Sequence, residues 1–420
     1  MNIWIFQTGE PIHSDLGRPR PMRAMNLANT LVDRGHRVTL WTSAFSHQEK
    51  MHRSRIFEIK TINNLLNICL VPSRGYRKNI GLGRFIDHLQ LAYNLRKALK
   101  KTDMLPEVAF IGYPPIEFAY VATLWLSGKN VPTILDIKDQ WPQIFVDVFP
   151  RGVRFFARCL FAPCYVLGRV TMREASVFSS ISQSFLNWAS EFSGRALTAR
   201  DQIAYLSPIS YSITDSDKLS SLEFWARHFD LADPRPRFFF VGSLTQSFDF
   251  QPILLLAREA EKHGANWQFV VCGDGPHKAG LQSMFEESKN VIFPGWIDRP
   301  AIQALAQFCA LGLAPYKNSS DFSLSIPNKV IDYLSLGVPV LSSLQGETSQ
   351  LIEQRNCGLS YAHKDAGQLF REIKYLVLNP EALEKLSKNA QQTYDDVFLG
   401  ERVYSELASR IESIAARASN

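Results

Sequence analysis

The chain has 420 residues, 46% hydrophobic and 20% charged, with a formal net charge of +6. That length holds two domains of ordinary size, and the mixture is that of a globular protein, which excludes a disordered or low-complexity chain. The modest charge does not call for nucleic acid, no apolar run reaches membrane-spanning length, and six cysteines without CxxC spacing point to buried thiols rather than disulfides or zinc.

The chain opens on MNIWIFQTG, a strand-like run from Ile3 to Gln7 without the basic start and cleavage site of a secretion signal, so a cytoplasmic protein is expected. A loop rich in glycine and arginine follows, Gly9 to Arg23, with Glu10, His13 and Asp15 as polar candidates. An amphipathic helix ending at Arg34 to His36 and a strand from Arg37 to Thr42 complete one βαβ unit. Glu107 to Pro115 and Pro132 to Pro142 read as buried strands ending in polar loops, and Asp139 falls at the carboxyl end of the second, where open α/β sheets bind ligands. Basic residues crowd at Arg74, Arg77, Lys78 and Arg84, and at Arg151, Arg154, Arg158, Arg169 and Arg173, the latter interleaved with Phe155, Phe156, Leu160, Phe161 and Tyr165. Two readings fit this second group: a surface for anionic lipid headgroups, or a solvated helix face over a core. Ser176 to Ser182 and Ile203 to Ser207 complete the first half, and the polar stretch Pro208 to Ser220 suits a hinge.

In the second half, Phe238 to Leu244, Gln268 to Leu281 and Asn290 to Trp296 are apolar runs closed by glycine, the pattern of buried parallel strands turning into loops. The stretch SIPNKVIDYLSLGVPVLSS, Ser325 to Ser343, then predicts a helix capped by Ser325, with Pro327 in its first turn, a stop at Gly337 and a strand over Val338 to Leu341. Asp332 shares a helix face with Asn328, and such a helix start suits phosphates and a hydroxylated sugar. The glycines of GDGP, Gly273 to Pro276, free the backbone to approach phosphate, but Lys278 stands where a dinucleotide fingerprint needs glycine, so NAD is not expected. No HxxxH spacing suggests a metal, and the Asp215 to Asp217 triplet lies in the hinge, where chance composition explains it.

The order of these pieces resembles the retaining glycosyltransferases of family 4, in particular a bacterial surface-polysaccharide branch, from about Met1 to the last helix and most closely from Phe238 to Leu341. The resemblance implies an α/β protein of GT-B fold. Two Rossmann-like domains would face each other across a cleft: 1–207 for the acceptor, a hinge over 208–220, and 221–400 for the donor, with a final helix over 401–416 crossing back to the first. It implies a metal-independent transfer of a hexosyl or N-acetylhexosaminyl-type sugar from a nucleotide-diphosphate sugar, with retention and no other cofactor. The implied acceptor is a polyprenyl-linked or other saccharide of O-antigen or capsule assembly, met at the inner face of an anionic cytoplasmic membrane. The donor would meet Gly242, Gly273, Asp274, Gly275, Trp296, Ile297, Ser323, Ser325, Ile326, Asn328 and Asp332. Asp332 replaces the family's ribose-binding glutamate, and Leu324 stands where a second glutamate is usual, which passes the sugar-facing role to Asp321, Ser323 or Ser325. The usual arginine and lysine are missing after Gly242, leaving Lys329, or Arg18, Arg20 and Arg23 of the first loop, to neutralise the diphosphate, with His13 on the acceptor side. Lys329, Asp139 and Asp321 form the expected catalytic set. Two rivals are a sugar-nucleotide 2-epimerase of the same fold and a degenerate transferase serving as a membrane scaffold.

Overall fold

Strands that are apolar along their whole length demand cover on both faces, and the chain meets that demand twice. The computed structural model describes residues 1–15, 20–79, 81–209, 213–361 and 365–418. It divides into one unit of Met1–Leu206 with Glu401–Asn420 and a second of Ser207–Gly400.

The first unit is built on β1 (Asn2–Phe6), β2 (Arg37–Ser43), β3 (Glu58–Thr61), β4 (Leu66–Val71), β5 (Val108–Tyr113), β6 (Thr133–Ile137), β7 (Val177–Ser180) and β8 (Gln202–Ile203). Their order in the sheet is β8-β7-β6-β5-β1-β2-β4-β3. Every pairing is parallel except β3 on β4. The chain winds outward from β1 to one side, then from β5 to the other, so the direction reverses between β1 and β5 and leaves a crevice beyond their carboxyl ends. The helix Gly400–Ala418 returns to this unit and buries Tyr404, Leu407, Ala408 and Ile411. It is pinned by Arg34, at the end of the helix Arg23–Asp33, which donates to Ser405 O at 2.8 Å and pairs with Glu412 at 3.1 Å.

The second unit holds β9 (Arg237–Val241), β10 (Gln268–Cys272), β11 (Val291–Gly295), β12 (Leu311–Ala314), β13 (Val340–Ser342) and β14 (Gly358–Ser360), all parallel, in the order β11-β10-β9-β12-β13-β14. This is the doubly wound order of nucleotide-binding sheets, with the reversal between β9 and β12. Phe238, Phe240, Phe269, Val271, Leu313 and Leu341 form its core.

Two local expectations change. The strand expected over Val338 to Leu341 begins at Val340, because Gly337 turns the chain at φ +67° and the Val338 N–H still bonds back to Tyr333 O at 3.0 Å. Within the stretch 208–220 read as a hinge, a helix Asp215–Ala226 begins. Its start is a capping box: Thr214 Oγ1 accepts the Asp217 N–H, and the Asp217 carboxylate accepts the Thr214 N–H. The acidic triplet therefore has a physical role, negative charge at the positive end of a helix.

Candidate active site

At the reversal point of the second unit, the loops after β9 and β10 pack backbone against backbone. Gly273, at φ +141°, lies so close to Gly242 that a Cβ on it would fall 1.9 Å from Gly242 O. Gly242 has φ +152°, and a Cβ there would lie 1.6 Å from Lys329 Nζ. The missing side chain at 242 is what makes room for an ammonium group. Lys329 arrives from the start of the helix Asn328–Ser335, donates to Val241 O, and sits 4.7 Å from the centre of the Phe240 ring and 5.3 Å from that of Phe248. Burial pulls its pKa down to about 8, with Asp332 acting in the opposite direction. A cation thus does stand at the end of β9, supplied from 88 residues downstream rather than by the residues after Gly242.

The helix start differs from expectation in one respect. Ser325 does not cap it; its hydroxyl donates to Asp321 O at 3.2 Å, and its own carbonyl accepts from the Thr348 hydroxyl at 3.2 Å. A short helix, Ser320–Ser323, turns the chain first, and Pro327 with extended backbone (φ −64°, ψ 150°) takes the cap position. Proline has no side-chain acceptor, so the helix has no side-chain cap. Its N-terminal end offers N–H groups and the positive end of the helix dipole to an anion. Tyr333, which the sequence did not single out, fixes this helix across the reversal point: its hydroxyl donates to Leu313 O at 3.0 Å and accepts the Val241 N–H at 3.2 Å. A lone hydroxyl on the buried face of an apolar helix was the available signal.

Of the other donor-side candidates, Asn328 is exposed at the helix start, Asp332 is half-buried one turn on, Asp321 and Ser323 are half-buried on the short helix, and Ser325 and Ile326 are buried. Ile297 is buried, whereas Trp296 is 72% exposed. The Asp274 carboxylate accepts the N–H of Gly275 at 2.8 Å and lies 3.6 Å from Lys278, which makes it a turn residue.

In the first unit, a cavity of about 280 Å³ opens beyond the carboxyl ends of β1, β2, β5 and β6. Asp139 lines it with Gln7, Glu10, Arg84, His88 and Lys138. Lys138 bonds Gln7 at 2.8 Å and pairs with Glu10 at 3.0 Å, and the second Glu10 oxygen accepts the Ala24 N–H at 2.8 Å. Arg53 pairs with Asp15 and donates to Glu10 O at 3.0 Å, which ties the described start of the loop, residues 10–15, to the segment after β2. The cation set of that loop must be corrected. Arg23 is buried and forks onto Asp136, both contacts 2.7 Å, while Nη1 donates to Tyr205 O at 3.0 Å, so this guanidinium holds the unit together and is not available to a diphosphate. Arg20 is exposed, His13 is exposed against Asn29 at 3.2 Å, and Arg18 lies outside the described residues.

Histidines give this cavity a pH-sensitive wall. Burial lowers His88 to about 3 and His47 to about 4, with Arg84 acting in the same direction on both. Burial also raises Glu117, 3.7 Å from His88, and with the imidazole neutral that contact is not an ion pair. The unfolded chain binds protons at both histidines below about pH 6.5, where the folded unit does not. Through these histidines stability is full above that value and is expected to fall on acidification from about pH 6.5 towards pH 4. The slope is up to about 1.4 kcal/mol per pH unit for buried His88 and smaller for part-exposed His47, whose charge solvent screens, while the raised Glu117 acts in the opposite direction. Denaturation at a series of pH values checks this, and His88→Phe is expected to remove the larger part of the slope.

The basic aromatic segment divides. Val148, Phe155, Phe156 and Leu160 are 71–75% exposed, while Phe161 packs on Phe145 at 5.4 Å and Tyr165 donates to Gln143 at 2.8 Å. Among the described residues no single helix is long and apolar enough to cross a membrane, and no cluster of three or more His, Cys, Asp or Glu could hold a metal.

Two doubly wound units, the first completed by the final helix, define the GT-B fold. Comparison with known proteins agrees with that class and narrows it. Residues 235–379, most of the second unit, match the family described as glycosyl transferases group 1. A stretch of 179 residues is 22% identical to the putative colanic acid biosynthesis glycosyltransferase WcaL of Escherichia coli (strain K12), covering 41% of this chain and 44% of that protein. The chain thus spans less than half the length of the curated relatives it matches. Among solved structures, sucrose-phosphate synthase of Thermosynechococcus elongatus superposes with a TM-score of 0.70 at 13% identity, covering 99% of both chains. WaaG, a glycosyltransferase involved in lipopolysaccharide biosynthesis, gives 0.63 at 16%, covering 98% of this chain and 99% of that one. Anabaena HepE in complex with UDP-glucose gives 0.62 at 13%, covering 98% and 100%.

Proposed function

We propose that the chain is a glycosyltransferase that takes a hexosyl or N-acetylhexosaminyl-type sugar from a nucleotide-diphosphate sugar and transfers it, with retention, to a lipid-linked saccharide of a bacterial surface polysaccharide. The observation that carries this reading is the Lys329 ammonium seated on Gly242, beside a helix start without a side-chain cap, at the reversal point of the second sheet. Two cationic elements converge where a diphosphate would lie. They favour a working transferase over a degenerate scaffold, because a cation fills the place left by the missing pair. Among the solved structures of this fold, HepE is complexed with UDP or UDP-glucose and starch synthase IV of Arabidopsis thaliana with ADP, and the more frequent uridine nucleotide is the first donor to try.

In this mechanism the second unit does its work by charge and orientation. Helix N–H groups and Lys329 stabilise the diphosphate as it departs, and the leaving phosphate oxygen takes the proton of the incoming acceptor hydroxyl on the same face. Asp332 accepts the ribose hydroxyls. Calorimetry of UDP and GDP binding tests the donor site. The Asp332→Ala variant is expected to bind the preferred nucleotide about 1.5–3 kcal/mol more weakly with an unchanged melting temperature. Equal affinity would remove Asp332 from the site.

The proposal places the enzyme peripherally on the inner face of the cytoplasmic membrane, supported by the exposed Phe155, Phe156 and Leu160 among Arg151, Arg154 and Arg158. Removing the three arginines together is expected to weaken co-sedimentation with phosphatidylglycerol vesicles by roughly 1 kcal/mol per charge. Binding that ignores both the triple change and high salt would count against this placement.

A further inference from the structure

A larger recess in the first unit takes no part in the reading above. Its floor is one face of the sheet, read off the alternation of strand side chains: Trp4 of β1, Thr39 and Trp41 of β2, and Cys69 of β4. The register sets Trp4 beside Thr39, and Trp41 beside Cys69. The helix Leu82–Leu99 and the turn after it form one wall, and Phe57 and Ile59 on the antiparallel edge form the other. The volume is about 740 Å³, more than twice that of the cavity at the carboxyl ends. Phe57, Ile59 and Met104 along it are 40%, 58% and 59% exposed, apolar surface that a monomer in water gains nothing by displaying. The Trp41 indole N–H, at the floor, has no acceptor among the described residues.

Charge is distributed along the same recess. Arg37, Lys97 and Lys101 line it against a single carboxylate, Asp103, and none of the three cations is ion-paired among the described residues. An apolar trough with a surplus of two positive charges is complementary to an apolar chain ending in a phosphate monoester, which carries about −1.5 to −2 at neutral pH. We propose that this groove binds a single-chain lipid phosphate, with its acyl chain along Trp4, Trp41, Phe57 and Ile59 and its headgroup among Arg37, Lys97 and Lys101. The site is separate from the cavity holding Asp139, and its occupancy does not depend on the donor-site reading.

Titration of the full chain with palmitoyl lysophosphatidic acid below its micelle concentration, followed by tryptophan fluorescence, tests this. Saturable binding is expected, with the matching lysophosphatidylcholine and free glycerol 3-phosphate both binding at least tenfold more weakly. The Lys97→Ala/Lys101→Ala double variant is expected to lose roughly 30-fold in affinity, about fivefold per charge, with an unchanged circular dichroism melt. Removing Arg151, Arg154 and Arg158 is expected to leave the titration unchanged. Equal binding of the zwitterionic lipid or of glycerol 3-phosphate, an unaffected double variant, or loss of binding in the triple arginine variant would each overturn the assignment.

Discussion

Replacing Lys329 with alanine is expected to lower turnover by about 100-fold or more, while weakening binding of the free nucleotide diphosphate much less. Charge on the leaving diphosphate grows towards the transition state, so a cation held there counts most in kcat. The seat of this lysine adds two further outcomes. Its pKa of about 8 means that the ammonium is lost as pH rises through that value in the empty site, so kcat/KM is expected to fall above about pH 8. The Gly242→Ala variant would thrust a methyl group to within 1.6 Å of Nζ and is expected to reproduce much of the lysine loss, because the flexible end of the side chain is what must move. Steady-state kinetics with the matched donor decide the matter. Full turnover in Lys329→Ala would mean that the diphosphate is held by backbone N–H groups alone.

Arg23→Ala is expected to destabilise the first unit by about 3–5 kcal/mol, because it strands the Asp136 carboxylate, itself 0% exposed, without its partner. Asp136→Leu combined with Arg23→Met is expected to recover much of that loss, since removing both charges avoids an orphaned one. Urea denaturation monitored by circular dichroism separates the cases. Two units can unfold in two steps, so the midpoint of each transition is the quantity to compare. An Arg23→Ala protein as stable as the parent, yet impaired in turnover, would return this arginine to the diphosphate.

These two residues mark the boundary of what the sequence makes legible. The alternation of apolar runs and glycine stops was enough to place most strands of both sheets, since a buried parallel strand needs apolar side chains on both faces and its following loop needs backbone freedom. The composition of the helix holding Lys329 and Asp332 was visible too, because local capping and periodicity are written within a few residues. Partnerships across long separations were not. Arg23 meets a carboxylate 113 residues away, and nothing in a loop with Arg18, Arg20 and Arg23 says which of them turns inward. Ser325 failed as a cap for a related reason: a preceding turn of helix claimed its hydroxyl. The aromatic segment from Phe155 to Tyr165 carries the same ambiguity, with Phe161 and Tyr165 half-buried beside an exposed Phe155 and Phe156.

The helix Gly400–Ala418 also bears on how the chain is made. Arg34 and His36 wait for Glu412, which the ribosome reaches only after the entire second unit has been synthesised. At about 5–20 residues per second, the nascent first unit spends roughly 10–40 s with the docking surface for Leu407 and Ile411 open to water. For that interval, the earlier half of the polypeptide is the more exposed to chaperones and proteases, and the later half can close first.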